Sequence, residues 1–339
     1  AASRMGKRKE PSPNSDGYFE SYASLGIHEE MLRCRRTVAY LDAIAQLTPL
    51  LRDKAVLDVG CGTGVLAIAC ARAGARVVYA VDASAVALCA REVVKSNEMD
   101  GKVIVFHQRV EELELPEQVD VIVSEWMGCL LLFESMLDSV LLARDKWLRP
   151  GGCLVPRRAQ LWLQPYRDEE AVDERAAFWA DVHGIDMSCL VPHAHAELAR
   201  KAQIGLALPQ NLVADKQSVL DLDLERCSLA DVQRVHATFD FSSHVRADVH
   251  AFVSYFEVEL VPGQCLSTSP VDEPTHWQQV LFYLLEPWPV EQDERLRGSI
   301  VLSKNAENPR CWDINISYGR GDGTMETARS QRFELDVNC

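Results

Sequence analysis

The apolar run Ala55–Val59 passes through Gly60-Cys61-Gly62-Thr63-Gly64 straight into the helical pattern Leu66–Ala73. A strand that turns on small residues into a helix opens a parallel α/β sheet, and no other segment restricts the fold as much. The alternation continues: Arg76–Val81, Lys102–His107 and Val119–Ser124 read as further strands, and Ala85–Ser96 and Ser135–Leu148 as helices. The unbroken Val-Asp-Val-Ile-Val predicts a strand covered by helices on both faces. Leu148-Arg149-Pro150-Gly151-Gly152 reads as a turn. Beyond Pro156 the period changes to two in Ala251–Leu260, Trp312–Tyr318 and Arg332–Val337, which predicts an antiparallel sandwich or barrel. A helical insert over about 168–183, carrying Phe178 and Trp179, interrupts it.

A chain of 339 residues that is 47% hydrophobic favours two domains over one. Its 35 basic against 50 acidic residues leave a net charge of −15, which argues against a broad phosphate-binding surface and for a basic protein partner. Eleven cysteines, an odd number without a Cys-x-x-Cys pair, predict reduced intracellular thiols. No apolar run is long enough for a membrane helix. Residues 1–16 are polar and proline-bearing and predict a disordered tail. Lys7-Arg8-Lys9 within it reads as a solvated basic run before it reads as a nuclear address.

The glycine loop lacks the third small residue of a dinucleotide fingerprint, because Val65 stands there, so a phosphate-free nucleoside fits better. Asp82 ends the next strand, where a carboxylate can accept both ribose hydroxyls; otherwise it caps the following helix, a task for which Ser84 competes. Asp58, inside the preceding strand, is expected to order the loop. Val110 and Glu111 follow a third strand, where Glu111 can accept from an adenine amino group, although one acid among Glu112 and Glu114 is more often solvated. Gly60, Asp82, Glu111 and Glu125 all fall at or just past carboxyl ends of predicted strands, the side on which open α/β sheets bind ligands. S-adenosylmethionine offers a nucleoside, a carboxylate and a sulfonium methyl and needs no metal, and no ligand-spaced His/Cys/Asp cluster implies one.

Glu125 and Glu134 bracket Trp-Met-Gly-Cys-Leu-Leu-Leu-Phe. Two carboxylates facing one pocket suit a planar, multi-donor cation, and guanidinium fits best. Taken alone, Glu134 would begin a helix and meet its dipole favourably.

These residues resemble the protein arginine methyltransferases from Gly17 onward. The resemblance rests on Tyr18-Phe19-Glu20-Ser21-Tyr22, Ile27-His28-Glu29-Glu30-Met31-Leu32, the glycine loop, Ser124–Ser135, Thr275-His276-Trp277, and Phe178-Trp179 with Gly184–Cys189. It implies a Rossmann-like methyltransferase domain over 17–155 and a β-barrel substrate domain over 156–339 with a dimerisation arm at about 167–190. It also implies head-to-tail homodimers.

By the same resemblance, Glu125, Glu134 and His276 are catalytic. Tyr18, Phe19, His28, Met31, Arg36, Asp58, Gly60, Gly62, Gly64, Asp82, Ala83, Val110 and Glu111 hold S-adenosylmethionine, with S-adenosylhomocysteine as product. Tyr22, Met127, Met136 and Trp277 contact substrate. The implied reaction is direct displacement, in which a guanidine nitrogen takes the methyl and His276 helps export the proton. Met31 and Met136 resemble the branch that forms monomethyl and asymmetric dimethyl arginine on histones and Gly/Arg-rich proteins, in cytoplasm or nucleus.

This chain departs from the family in two places. The stretch Met31–Thr37 is one residue short and lacks an aspartate that partners the barrel histidine, so Arg35 competes with Arg36 for the cofactor carboxylate and Glu29 or Glu30 would have to orient His276. Cys129 replaces a tyrosine. These departures motivate a second reading, a feebly active partner-binding scaffold. A small-molecule methyltransferase and a nucleic-acid methyltransferase are weaker readings; the latter lacks the Asp/Asn-Pro-Pro-aromatic motif, so no direct nucleic-acid contact is expected.

Overall fold

The computed structural model describes residues 15–320 and 328–335. The expected tail therefore lies, up to Asn14, outside the described residues. Packing groups the chain into two units, 1–124 with 147–152, and 125–146 with 153–339.

In the first unit, α1 (Ser15–Ser21), α2 (Leu25–Arg33), α3 (Arg35–Gln46) and α4 (Thr48–Leu51) precede β1 (Ala55–Val59). Cys34 alone separates α2 from α3, in extended backbone at φ −74° and ψ 150°. Arg36, Thr37, Tyr40, Ala43 and Ile44 are the buried residues of α3, at the three-and-four spacing of an amphipathic helix. Tyr40 is fully buried, and its hydroxyl donates to the carbonyl of Ser124 at 2.9 Å. There follow α5 (Val65–Arg72), β2 (Val77–Asp82), α6 (Val86–Ser96), β3 (Val103–His107) and β4 (Val119–Val123); next in the chain come α7 (Met136–Trp147), which belongs to the second unit up to Lys146, and β5 (Leu148–Val155), whose residues 148–152 return to the first.

The sheet order is β3-β2-β1-β4-β5, parallel where β1 meets β2 and β4 and where β2 meets β3. The order reverses beside β1, which puts a ligand-binding switch point at the carboxyl ends of β1 and β4. As a doubly covered strand must be, β1 is buried throughout, whereas edge strand β3 is not. The expected turn at Leu148–Gly152 is instead the first part of β5. Gly151 sits at φ 78°, and a Cβ on Gly152 would stand 2.8 Å from the carbonyl oxygen of Asp120. The two glycines thus shape the strand instead of ending it.

The second unit is antiparallel and barrel-like. It runs β6 (Arg158–Tyr166), α8 (Glu169–Ala180), α9 (Val191–Leu198), β7 (Gln203–Gly205), β8 (Gln217–Asp223), β9 (Arg234–Ser242), β10 (Ala247–Val261), β11 (Gln264–Ser267), β12 (Gln279–Val290), β13 (Arg295–Lys304), β14 (Trp312–Arg320) and β15 (Arg329–Leu335). One sheet is ordered β7-β12-β10-β6-β8, with β11 on β10, and the other β15-β14-β13-β9.

Burial alternates along β14 from Trp312 to Tyr318 as period two requires. Along β10 it does not, because Val249–Phe256 are buried without a break. That strand is paired on both sides; Phe252 meets Phe239, Phe241 and Tyr318, while Ala251 and Val253 pack with Tyr166, Leu281 and Tyr283. With cover on both faces, the alternation disappears.

None of α8 is buried, and Phe178, edge-on to Trp179, is 59% exposed. The root of α8 is fixed by buried polar groups: the Asp168 N–H donates to His250 Nδ1 at 3.1 Å, and the Tyr283 hydroxyl donates to the Asp168 carboxylate. Among the described residues no helix is long and apolar enough to cross a membrane, and no group of His, Cys, Asp or Glu is placed to hold a metal.

Candidate active site

The glycine loop beyond β1 depends on a conformation side chains resist, with Gly60, Gly62 and Gly64 at φ 73°, 52° and 86°. Its amides are turned inward: Gly60 and Cys61 donate to the carbonyl of Val81 at 2.8 and 3.1 Å, and Gly64 to that of Cys61 at 2.8 Å. A Cβ on Gly62 would lie 3.2 Å from His28 Cε1, so this histidine packs directly on the loop. His28 Nε2 lies 2.9 Å from the carbonyl of Tyr22, which assigns the ring proton to Nε2. Tyr22 in turn touches Tyr18, and Tyr18 touches Phe19, at ring separations of 5.1 and 5.3 Å. The guanidinium of Arg109 covers Phe19. The aromatic N-terminal segment is thereby joined to the loop through a histidine.

Asp82 accepts from both sides of the same corner, through Oδ2 from the Gly62 N–H at 2.9 Å and through Oδ1 from the Ser84 N–H at 2.8 Å. Burial pushes its carboxyl above the ordinary range, against those two N–H groups and the nearby His28 and His107. Asp82 therefore braces both the loop and the approach to α6, whereas Ser84 Oγ receives only a long 3.4 Å bond from Val86.

Asp58 is 1% exposed, and neither carboxylate oxygen has a well-formed hydrogen bond among the described residues. Burial, then the charge of Asp82, push its pKa up to about 7, and only the Ala67 N–H in α5 favours the anion. Arg36 is buried on α3 while Arg35 is exposed. Val110 is buried and Glu111 exposed in a short turn after β3; Ala83 and Met31 are half-buried. Asp82 at the end of β2, the glycine loop beyond β1 and the carboxylate of Asp58 beneath it thus stand together at the carboxyl ends of neighbouring strands.

Ser124 closes the first unit, its hydroxyl donating to the carbonyl of Val59 at 2.7 Å and so tying the ends of β4 and β1. The next residue, Glu125, starts a loop of the second unit that runs to Ser135. Gly128 and Leu131 form an isolated bridge, with the Gly128 N–H donating to the Leu131 carbonyl at 3.0 Å. A Cβ on Gly128 would stand 2.3 Å from the carbonyl oxygen of Phe133, so only glycine fits.

Leu130, Leu131, Glu134 and Ser135 all have left-handed backbone, at φ 53°, 63°, 72° and 57°. Glu134 is therefore not the ordinary helix-opening acid that its place before α7 implies. Strain of this kind, roughly 1–2 kcal/mol per residue, persists where surrounding structure enforces it. Two tryptophans help: Trp277 donates its indole N–H to the Met127 carbonyl at 2.8 Å, and Trp312 donates to that of Leu132 at 2.9 Å. Trp277 is buried edge-on to Phe256, so it acts on the loop by holding Met127, while the adjoining His276 is exposed. Glu125, Cys129, Glu134 and Met136 are half-buried, and Met127 is buried. Arg310, whose backbone and guanidinium both bond Glu134, carries no mark in the local sequence pattern.

A family model described as the arginine methyltransferase oligomerization subdomain matches residues 157–323, and one described as ribosomal protein L11 methyltransferase matches 35–143. The chain is 44% identical over 330 residues to protein arginine N-methyltransferase 6 of Xenopus laevis, covering 95% of this chain and 96% of that one. Among solved structures, the Trypanosoma brucei PRMT1 enzyme-prozyme heterotetrameric complex with AdoHcy is similar at a TM-score of 0.85 and 35% identity, covering 94% of this chain and all (100%) of the other. Arabidopsis thaliana protein arginine methyltransferase 10 is similar at 0.82 and 33%, with the same coverage. With these relatives, the fold and the glycine loop are those of a methyltransferase that uses S-adenosylmethionine. The chain belongs to the protein arginine N-methyltransferase family, whose reaction is methyl transfer to arginine.

Proposed function

We propose that this enzyme methylates the guanidino nitrogens of arginine in basic proteins such as histones and Gly/Arg-rich chains, giving monomethyl and asymmetric dimethyl arginine. The observation that carries the reading is the loop from Glu125 to Glu134, left-handed at Glu134 and braced by Trp277 and Trp312, beginning two residues after β4. A carboxylate whose backbone is held by its surroundings in an otherwise unfavoured conformation is preorganised to meet a cation.

S-adenosylmethionine, when bound, supplies an activated methyl group; Tyr18, Phe19, His28, Met31, Arg36, Gly60, Gly62, Gly64, Asp82, Ala83, Val110 and Glu111 would hold it, with Asp58 beneath the loop. Glu125 and Glu134 accept hydrogen bonds from the guanidinium donors and fix the attacking nitrogen. Tyr22, Met127 and Met136 wall that group, and Trp277 keeps Met127 in place. His276, exposed beside Trp277, carries the proton away. Residues 17–155 serve as the cofactor domain and 156–339 as the substrate barrel. The arm at about 167–190 joins two copies through its exposed Phe178 and Ile185. The acidic net charge of −15 favours cationic substrates, in cytoplasm or nucleus.

Mass spectrometry of histone and Gly/Arg peptides after incubation with cofactor tests this. Asymmetric dimethylarginine is expected, with Glu134→Gln and Glu125→Gln each lowering kcat about 10²–10⁴-fold. Unmodified peptides, or label insensitive to both substitutions, would overturn it. No specific observation favours the scaffold reading.

A further inference from the structure

We propose that Arg310 is a positioning residue for Glu134, setting the direction of its side chain from 176 residues away along the chain. The inference rests on the reading of Glu134 as a guanidinium-binding carboxylate.

The loop's internal bonds account for its first part. Gly128 donates to Leu131, Leu132 to Leu130 and Phe133 to Cys129, which folds the turn up to Phe133. Glu134 is treated differently. Its N–H donates to the carbonyl of Arg310 at 3.0 Å, and its carbonyl accepts from Arg310 Nη1 at 2.7 Å. One residue thus holds the peptide planes on both sides of the Glu134 Cα. Fixing both planes fixes φ and ψ, here at 72° and −13°, and with them the Cα–Cβ direction. Left to itself, a glutamate would leave this region for right-handed helix, and α7 begins two residues later to accept it.

The loop that carries Arg310 is built as a rigid template. The Asn305 N–H donates to Cys311 at 2.9 Å and the Cys311 N–H to Asn308 at 2.9 Å, while the Arg310 N–H donates to Asn308 Oδ1 at 3.1 Å. The template grips the flanks of Glu134 as well: Ser135 Oγ donates to the Pro309 carbonyl at 2.7 Å, and Lys304 pairs with Asp138. Arginine suits the task because its planar fork can hold a carbonyl in fixed geometry, whereas a lysine ammonium on a flexible stem constrains direction poorly.

The test compares Arg310→Met, Arg310→Lys, Ser135→Ala and Glu134→Gln in the full-length chain. It reads kcat and KM for a Gly/Arg peptide, cofactor Kd by calorimetry, the monomethyl-to-dimethyl ratio and the melting temperature. Arg310→Met is expected to lower kcat about 10²-fold, the loss typical of an ångström-scale misplacement, with cofactor Kd unchanged and a higher monomethyl share. Arg310→Lys should recover part of kcat, and Ser135→Ala, which keeps both Arg310 bonds, should lose less than Arg310→Met. If Arg310→Met fails to fold, the order parent, Ser135→Ala, Arg310→Lys carries the test. Parent-like kcat in Arg310→Met, or a kcat loss matched by equal losses of cofactor affinity and folded fraction, overturns the proposal. An inactive Glu134→Gln beside an active Arg310→Met removes only Arg310 from the account; an active Glu134→Gln removes the carboxylate reading, and this proposal with it.

Discussion

Replacing Asp58 by asparagine should change how stability depends on pH. In the folded protein this carboxyl titrates at about 7, against 3.8 when exposed. Between those values the native state holds a proton that the unfolded chain has released, so stability falls as pH rises through the window and levels off above it. The shift of about three units corresponds to roughly 4 kcal/mol over the whole window. Because Asp58 is 1% exposed, solvent screening takes little from this figure. Paired carboxylates such as Asp221 and Asp240, held low by Arg158 and Arg295, act in the opposite sense and lose stability as pH falls. They act equally in parent and variant and cancel in the difference. Urea unfolding of the cofactor-free protein at pH 5 and pH 8, followed by tryptophan fluorescence, should show Asp58→Asn gaining roughly 3 kcal/mol on the parent between the two. Parallel pH dependences would refute the view that Asp58 is buried as a strained, nearly unsatisfied acid.

Gly128→Ala puts a methyl 2.3 Å from the Phe133 carbonyl oxygen, so turnover should fall at least about tenfold, as misplaced geometry does, along with a lower melting temperature; ordinary turnover would mean that the loop has slack. Asp82→Ala strips an acceptor from the N–H groups of Gly62 and Ser84, and calorimetry should read cofactor affinity weaker by about tenfold or more. Tyr283→Phe leaves the Asp168 carboxylate without its hydroxyl donor at the root of α8, a loss of about 1.5–3 kcal/mol that urea unfolding should read; unchanged stability would mean that this bond does not fix the root of α8. Cys129→Tyr refills a half-buried position in the acidic loop, and KM across a Gly/Arg peptide set should shift; an unchanged ranking would place residue 129 outside the substrate's reach.

The ends of β1, β2 and β4 were legible because a strand that turns on glycines, or that stops at an acid, writes its direction and its exit locally. Gly60, Asp82 and Glu125 could be placed from spacing alone. The left-handed run at Leu130, Leu131, Glu134 and Ser135 could not, since leucine and glutamate carry no local preference for that backbone and a distant loop imposes it. Arg310 was invisible for the same reason, being joined to its partner only after folding. The continuous burial of β10 was hidden as well: alternation predicts one wet face, and only the packing of Phe252 against Tyr318 reveals that the second is covered. At Leu148–Gly152, proline and glycine signalled a reversal where they only kink a strand.

The boundary between the packed units falls at the peptide bond from Ser124 to Glu125, inside the stretch that chain order would assign to a single nucleotide-binding module. A chimaera that transplants residues 1–155 as a block would separate the loop of Glu134 from Arg310, Trp277 and Trp312, and the graft would arrive with that loop untethered. A chimaera that exchanges only 1–124 and 147–152 would keep those tethers whole.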